Sequence, residues 1–268
     1  FGEIETNGFE MSLGLRIIKK PKVSWSLDGN FSVGKAIIKN LITDNIQTGI
    51  SFGRVSTGTQ RLIIGEEIGT FYGWKLAGIS QFNDFVEFQG LSNQEQIDLY
   101  NQNRTATYTY VDGYTGGRPV SATQNRPGEQ LYEDLDNDFL ISEADKKIIG
   151  QAQPDIMFGI NNTFSFGNVD FSFFIDGQLG QEVANVTNWN LLTFASNQQL
   201  AVVKDAWTPE NPSTTLPKVT NNDGWGNTLA FSDRYVEDAS FIRLQNVSIG
   251  YNFSEDLLAK LKIDGLRV

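Results

Sequence analysis

The sequence predicts an all-β fold in which antiparallel strands form a segment of a transmembrane β-barrel with long extracellular loops. Apolar and polar residues alternate with period two over stretches of about ten residues, the length of a tilted membrane crossing. The polar positions of these stretches are rich in Ser, Asn and Gly instead of Lys and Glu. Short connections alternate with very long ones, as in outer-membrane barrels with short periplasmic turns.

Residues 1–33 predict the first barrel hairpin. The apolar positions of its first strand are Phe9, Met11, Leu13, Leu15 and Ile17. After a turn near residues 19–22, the apolar positions of its second strand are Val23, Trp25, Leu27, Phe31 and Val33. The alternating positions are polar or glycine, which is the pattern of a strand with two different faces.

Residues 156–179 predict a second barrel hairpin, turning at Gly167-Asn168. A two-residue turn of this kind fixes the register of the strands that flank it. The pairs that it predicts are Phe166–Val169, Phe164–Phe171, Ile160–Ile175 and Ile156–Leu179. All of these pairs are apolar and share one face, so the turn and the facial pattern agree.

Residues 239–268 predict further barrel strands with a periplasmic turn at residues 254–265. The strand near residues 241–253 changes parity, since Ile242 and Leu244 do not alternate in phase with Val247. A β-bulge, or a rise of the strand above the apolar zone, would explain the change.

The two long connections are predicted to be extracellular. Residues 34–155 form a large loop region, and residues 180–238 form a second loop. If both short turns lie on the periplasmic side, the first region contains an even number of crossings, most simply none. Five strands and the start of a sixth cannot close a barrel, for which about eight strands are needed. We therefore expect an internal or C-terminal piece of a larger polypeptide.

Composition argues against several classes of function. The chain has 268 residues, with 21 Lys and Arg against 32 Asp and Glu, for a formal net charge of −11. Such a balance disfavours a nucleic-acid partner. The absence of His and Cys removes imidazole bases, thiol nucleophiles and His or Cys zinc sites. The chain also lacks a P-loop motif, and with these catalytic groups absent we do not expect an enzyme.

An acidic loop at residues 134–145 has the spacing of a calcium-binding loop. The candidate ligands are Asp134, Asp136, Asp138, the carbonyl of Leu140 and Asp145. The sixth position, where such loops carry glycine for a sharp turn, is Phe139. One interpretation is a structural Ca²⁺ site. The other is an acidic surface turn leading into a short helix over residues 142–148.

Aromatic residues of the long loops are the candidate ligand contacts, because flat rings stack on sugar faces and on peptide side chains. The selected residues are Tyr72, Trp74, Trp189 and Trp225, with Tyr108 and Tyr110 as further candidates. Tyr72 and Trp74 could equally belong to a core within the loop region.

Several segments resemble known outer-membrane proteins. Residues 7–13 (NGFEMSL) resemble a strand motif of TonB-dependent receptors. Four further segments resemble the SusC/RagA branch: residues 69–75 (GTFYGWK), 127–138 with 148–150, 207–212 (WTPENP) and 234–251 (RYVEDASFIRLQNVSIGY). The sequence departs from the family at Phe139, Asp136 and Ala239, where the family favours Gly, Asn and Gly.

The resemblance implies the C-terminal portion of a plugged barrel of about 22 strands in a Gram-negative outer membrane. It also implies energy supplied through the TonB complex and a SusD-like surface lipoprotein as partner. Family members import oligosaccharides or peptides. Two alternatives stay open: a secreted calcium-stabilised β-sandwich that binds carbohydrate, and a carboxylate-based glycosidase.

Overall fold

The computed structural model describes residues 2–43, 45–48, 58–192, 200–219 and 230–268. The strands are β1 (Glu3–Lys20), β2 (Val23–Asn40), β3 (Asn45–Thr48), β4 (Gln60–Ile63), β5 (Thr70–Gly73), β6 (Leu76–Ile79), β7 (Gln130–Tyr132), β8 (Lys147–Gln151), β9 (Ile156–Phe166), β10 (Val169–Leu179), β11 (Glu182–Ala184), β12 (Val236–Asp238) and β13 (Phe241–Tyr251). The α-helices are α1 (Asn93–Gln102), α2 (Val186–Leu192) and α3 (Glu255–Leu261). Short 3-10 turns lie at Phe82–Asp84, Val86–Phe88, Ala122–Gln124, Glu143–Asp145, Ala201–Asp205 and Asp233–Tyr235.

The five long strands form one antiparallel sheet in the order β1-β2-β9-β10-β13. Strand β2 pairs directly with β9, so no described residue between them adds a strand to this sheet. This pairing is consistent with the simplest expectation for the connection, that it contains no crossing, which stays a prediction. Strand β2 also continues to Asn40, beyond the boundary at residue 33 that the alternation suggested.

The register carries one apolar face across all five strands. The four pairs predicted for the β9–β10 hairpin are confirmed. One row across the sheet runs Leu13, Gly29, Ile160, Ile175 and Leu244, and another runs Met11, Phe31, Phe158, Gly177 and Ile242. Directly opposed residues of an antiparallel pair share a face, so the apolar sets of the strands merge into a single surface.

A bulge at Gln245 accounts for the parity change in β13. Phe174 pairs with Asn246, whereas the next residue, Ile175, pairs with Leu244. Gln245 is therefore the extra residue that a β-bulge inserts. Because of this insertion, Ile242 and Leu244 lie on the same face as Val247.

The opposite face is polar, and no second layer covers the sheet among the described residues. One of its rows runs Ser12, Asn30, Gly159, Asp176 and Arg243, and Arg243 pairs with Asp176 at 3.0 Å. The buried clusters of the described chain consist of residues from outside the five strands. The face-to-face sheets of the β-sandwich alternative are thus not found in the described part of the chain.

The long connections carry their own small sheets and cores. The strand orders are β3-β4-β5-β8, β6-β7 and β11-β12. Helix α1 starts at a reciprocal cap, in which Ser92 accepts from the Glu95 amide and Glu95 accepts from the Ser92 amide. These elements bury several aromatic residues of the loops, among them Phe85, Phe88 and Trp189.

Within the described residues, no helix is both long and apolar enough to cross a lipid bilayer.

Candidate functional site

The acidic loop brings three of its predicted ligands together. One carboxylate oxygen from each of Asp134, Asp136 and Asp138 lies within 4.8 Å of the others. The loop is braced by its own amides: Asp134 accepts from the amide of Phe139 at 2.9 Å, and Asp138 accepts from that of Leu140 at 2.7 Å. The Oδ1 atom of Asp134 is buried without a hydrogen-bond partner. The cluster therefore offers oxygen ligands of the type that a hard cation prefers.

Repulsion within this cluster affects the ionisation of Asp136. A hydrogen bond from the Asp138 amide lowers the pKa of Asp136. Partial desolvation and the negative charges of Asp138, Asp145 and Asp134 oppose that bond and leave the pKa above its ordinary value. A bound cation would remove this repulsion.

Asp145 is placed differently from the other three carboxylates. It is 1% exposed, and its two oxygens accept from the amides of Leu135, at 2.8 Å, and Ser142, at 2.7 Å. Its carboxylate does not belong to the group formed by the other three. The observed role of Asp145 is to close the loop by hydrogen bonds to its backbone. A single 3-10 turn at Glu143–Asp145, followed by β8, stands where the alternative interpretation expected a short helix.

Phe139 adopts the left-handed conformation that its position in the loop requires, with φ of 67°. Its ring is 64% exposed and stands 5.2 Å from the guanidinium carbon of Arg118. Arg118 also lies over the rings of Tyr110, at 4.5 Å, and Tyr114, at 4.9 Å. These groups border a cavity of about 1010 Å³ beside the acidic loop.

Sequence reasoning missed Arg118 and Tyr114 as members of this aromatic and cationic group. Arg118 connects the nearby residues Tyr110 and Tyr114 with Phe139 of the acidic loop, and no known motif spacing identifies such a group. The closeness in sequence of Tyr110 and Tyr114, whose rings stack at 4.4 Å, was the available signal.

Tyr72 and Trp74 are half-buried in the first loop region. Arg61 lies 4.3 Å above the ring of Tyr72, and Lys146 lies 4.2 Å above that of Trp74. The indole Nε1 of Trp74 donates to the carbonyl of Ser142 at 2.8 Å. Trp74 therefore anchors the acidic loop to β5 and its neighbours, and both rings are partly covered by protein.

Trp189 is a core residue and not a ligand contact. It is 1% exposed and packs against Phe231, at 5.3 Å between ring centroids, and Tyr235, at 5.4 Å. Tyr108 is also buried, at 8% exposure, against Phe85 and Phe88. Trp225 lies outside the described residues. Trp189 and Tyr108 are buried because the loop region is large enough to form its own core.

Comparison with curated proteins identifies the relatives of this chain. TonB-dependent receptor P3 of Formosa agariphila is 31% identical over 269 residues, covering 100% of this chain. TonB-dependent receptor P26 of the same organism is 28% identical over 267 residues. TonB-dependent receptor SusC of Bacteroides thetaiotaomicron is 24% identical over 156 residues, or 56% of this chain. The chain belongs with the SusC/RagA-type TonB-dependent receptors. No family model matches it.

Solved structures with a similar fold were also found. The structure of the RagAB peptide transporter superimposes with a TM-score of 0.66 at 19% identity, covering 99% of this chain and 25% of that chain. The RagAB peptide importer in its closed-closed state gives a TM-score of 0.65 at 18% identity. At such identities the likeness shows the fold alone. The chain spans 23% of the length of receptors P3 and P26. The named relatives are receptors and transporters, not enzymes.

Proposed function

We propose that the chain forms part of the barrel wall and the outer loops of a TonB-dependent transporter in a Gram-negative outer membrane. The observation that carries this proposal is the largely apolar face of the five-stranded sheet, interrupted by Asn162 in one row, which no second layer of described residues covers. Phe9, Leu13 and Val247 on this face are 56%, 48% and 54% exposed. A soluble protein rarely exposes an apolar surface of this extent, whereas a barrel wall presents it to lipid.

The arrangement of the connections supports the same orientation. The short turns lie together at one end of the strands. There the Gly167 amide donates to the Lys22 carbonyl, and the Asn252 amide donates to the Asn168 carbonyl. The long connections leave from the opposite end of the strands. In outer-membrane barrels the short turns are periplasmic and the long loops are external. We therefore assign residues 41–155 and 180–238 to the extracellular side.

The proposed cargo is an oligosaccharide or a peptide, taken up with a SusD-like lipoprotein that covers the external loops. RagAB is described as a peptide transporter, and SusC as a TonB-dependent receptor. These names support import driven through TonB as the activity of the whole protein. The TonB contact belongs to regions outside this chain, and membrane lipid is the partner of the apolar face.

A second part of the proposal is that Ca²⁺ binds the acidic loop and stabilises it. The clustered oxygens of Asp134, Asp136 and Asp138, and the unpartnered Oδ1 of Asp134, support a cation here. The carbonyl of Leu140 would add a further oxygen ligand. The role is structural, because Trp74 and Asp145 tie the loop to the surrounding elements.

Limited proteolysis of the full-length receptor tests the calcium site. Chelation with EDTA should speed cleavage within residues 134–145, and added Ca²⁺ should reverse the effect. The variant Asp138→Asn should be cleaved quickly with or without Ca²⁺, whereas Asp155→Asn, a control outside the loop, should behave as wild type. Equal cleavage rates with EDTA and with Ca²⁺ would contradict the proposal.

Membrane fractionation and uptake test the transporter itself. The full-length receptor, expressed with its lipoprotein, should appear in the outer-membrane fraction and require detergent for extraction. Cells should then take up oligosaccharides or peptides only when TonB is present. Recovery of the receptor as a soluble protein without detergent would refute the membrane assignment, and uptake that continues without TonB would refute the energy source.

A further inference from the structure

A second cavity in the loop region, of about 690 Å³, is lined by a cluster of basic side chains. Arg104, Arg126, Lys204 and Lys218 all border it, and Glu210 is the acidic residue at its rim. The chain as a whole has a formal net charge of −11. Four cations around one cavity therefore stand out against the overall charge of the chain.

A buried group of ion pairs forms the inner side of the cavity. Glu129 is 2% exposed, and its Oε1 atom is 2.8 Å from Nε of Arg126 and 2.9 Å from Nζ of Lys218. Arg126 also donates to the carbonyl of Thr105 at 3.0 Å. The Glu129 carboxylate thus lies between two cations, and these ion pairs hold the side chains of Arg126 and Lys218 in place at the cavity.

The outer side adds two exposed cations. Both guanidinium hydrogen bonds of Arg104 go to a neutral acceptor, Oδ1 of Asn101, at 2.9 and 2.7 Å. Arg104 and Lys204 form no ion pair with any residue that the structure describes. Among the described residues at the cavity, four are basic (Arg104, Arg126, Lys204 and Lys218) and two are acidic (Glu129 and Glu210), so this lining favours an anionic ligand.

The remaining lining favours a polyhydroxylated ligand over a peptide. Four threonines, Thr105, Thr107, Thr123 and Thr208, line the cavity. The hydroxyls of Thr105 and Thr107 donate to Oδ1 of Asn103 and to the Thr123 carbonyl, so their oxygens can still accept a hydrogen bond from a ligand. The aromatic residues beneath them are closed off, since Trp207 is 2% exposed and Tyr100 is 4% exposed. An apolar peptide side chain would find little ring surface here, whereas sugar hydroxyls can hydrogen-bond to the threonines.

We propose that this cavity binds an acidic saccharide, one that carries carboxylate or sulfate groups, on the external side of the receptor. The inference rests on the proposed transport function and names the class of cargo. The cations hold the acidic groups, and the threonine hydroxyls hydrogen-bond to the sugar ring. The binding site is separate from the acidic loop, whose carboxylates would repel such a ligand.

Calorimetric titration of the full-length receptor with its lipoprotein tests the site. The probes are a galacturonic acid oligosaccharide, a sulfated galactose oligosaccharide, a neutral galactose oligosaccharide of equal length and an oligo-glutamate peptide. The wild-type receptor should bind at least one acidic saccharide more tightly than the neutral one, with affinity falling as salt rises. The two acidic probes distinguish carboxylate from sulfate recognition.

Charge reversal supplies the matched comparison. The double variant Arg104→Glu with Lys204→Glu should weaken binding of the acidic saccharide by about tenfold or more, because each rim charge contributes a modest amount and here each is reversed. The control, Lys19→Glu with Lys22→Glu at the β1–β2 turn, changes net charge equally and should leave affinity within about twofold of wild type. If the double variant folds poorly, Lys204→Gln alone should still lower the affinity.

Three results would overturn the inference: equal affinity for acidic and neutral saccharides, affinity unaffected by the reversal, or tighter binding of oligo-glutamate. These outcomes are distinct from failure of the transport function. A receptor that lies in the outer membrane and imports cargo through TonB, but shows no preference for acidic saccharides, would refute this inference alone.

Discussion

The amide of Gly167 donates a hydrogen bond of 2.7 Å to the carbonyl of Lys22. This contact joins the turn of the β9–β10 hairpin to that of the β1–β2 hairpin, although the two turns are far apart in sequence. The contact holds both turns together at the same end of the strands. The register of β2 against β9 is consistent with it, because Val23 pairs with Phe166.

Replacing Gly167 should destabilise the hairpin. Its φ of 59° lies in the left-handed region, where an alanine costs about 1–2 kcal/mol. We expect Gly167→Ala to lower the temperature at which the full receptor loses its folded mobility in gel electrophoresis. Gly29→Ala is the control, since a Cβ there meets its nearest atom at 3.7 Å and φ is not positive. An equal loss in both variants would contradict the role of the turn.

Adjacent residues of β10 should respond oppositely to a charge. Phe173 lies on the apolar face, in the row with Leu27 and Val247, and Ser172 lies on the polar face. Phe173→Arg should cost about 2–4 kcal/mol if this face meets lipid near the middle of the membrane, whereas Ser172→Arg should be tolerated. Outer-membrane yield and folded mobility measure the difference. Tolerance of Phe173→Arg together with failure of Ser172→Arg would reverse the assigned orientation.

Asp145 should matter for the acidic loop even without a cation. Removing its carboxylate in Asp145→Ala leaves the amides of Leu135 and Ser142 without their acceptors, at a cost of about 1–3 kcal/mol. Asp136→Ala removes an exposed carboxylate and should cost less than about 0.5 kcal/mol in EDTA. Hydrogen exchange across residues 134–145 measures both. Similar protection in the two variants would show that Asp145 does not close the loop.

Tyr100 should make the loop region sensitive to alkali. Desolvation, aided by the negative charge of Glu129, raises its pKa from 10.0 to about 12. A folded-state pKa above the unfolded one gives stability that is present below pH 10.0 and lost as pH rises towards 12. Tyr100→Phe cannot ionise, so its thermal stability should fall less over that range. If the thermal stability of the wild-type receptor and that of the variant fall in parallel as pH rises, Tyr100 is not the cause of the sensitivity to alkali.

The five long strands were predictable from sequence because the residues that specify them are close together in the chain. Period-two alternation and the Gly167-Asn168 turn specify the face and the register together. Even the bulge at Gln245 left a visible parity change between Leu244 and Val247.

The loop region was harder to predict because its contacts are distant in sequence. The burial of Trp189 depends on Phe231 and Tyr235, more than 40 residues further along the chain. An aromatic residue in a polar loop looks identical in sequence whether it packs in a core or faces solvent. The acidic loop was visible as a pattern, yet the inward turn of Asp145 depends on backbone amides that no pattern displays.

The direct pairing of β2 with β9 means that the first excursion leaves the wall and returns to it at neighbouring strands. The entropy of closing such a loop grows only slowly with its length. The loop region between β2 and β9 can therefore gain, lose or replace residues during evolution while the five-stranded sheet keeps its strand order and register. The loop region can therefore change in sequence and length without changing the sheet that carries it.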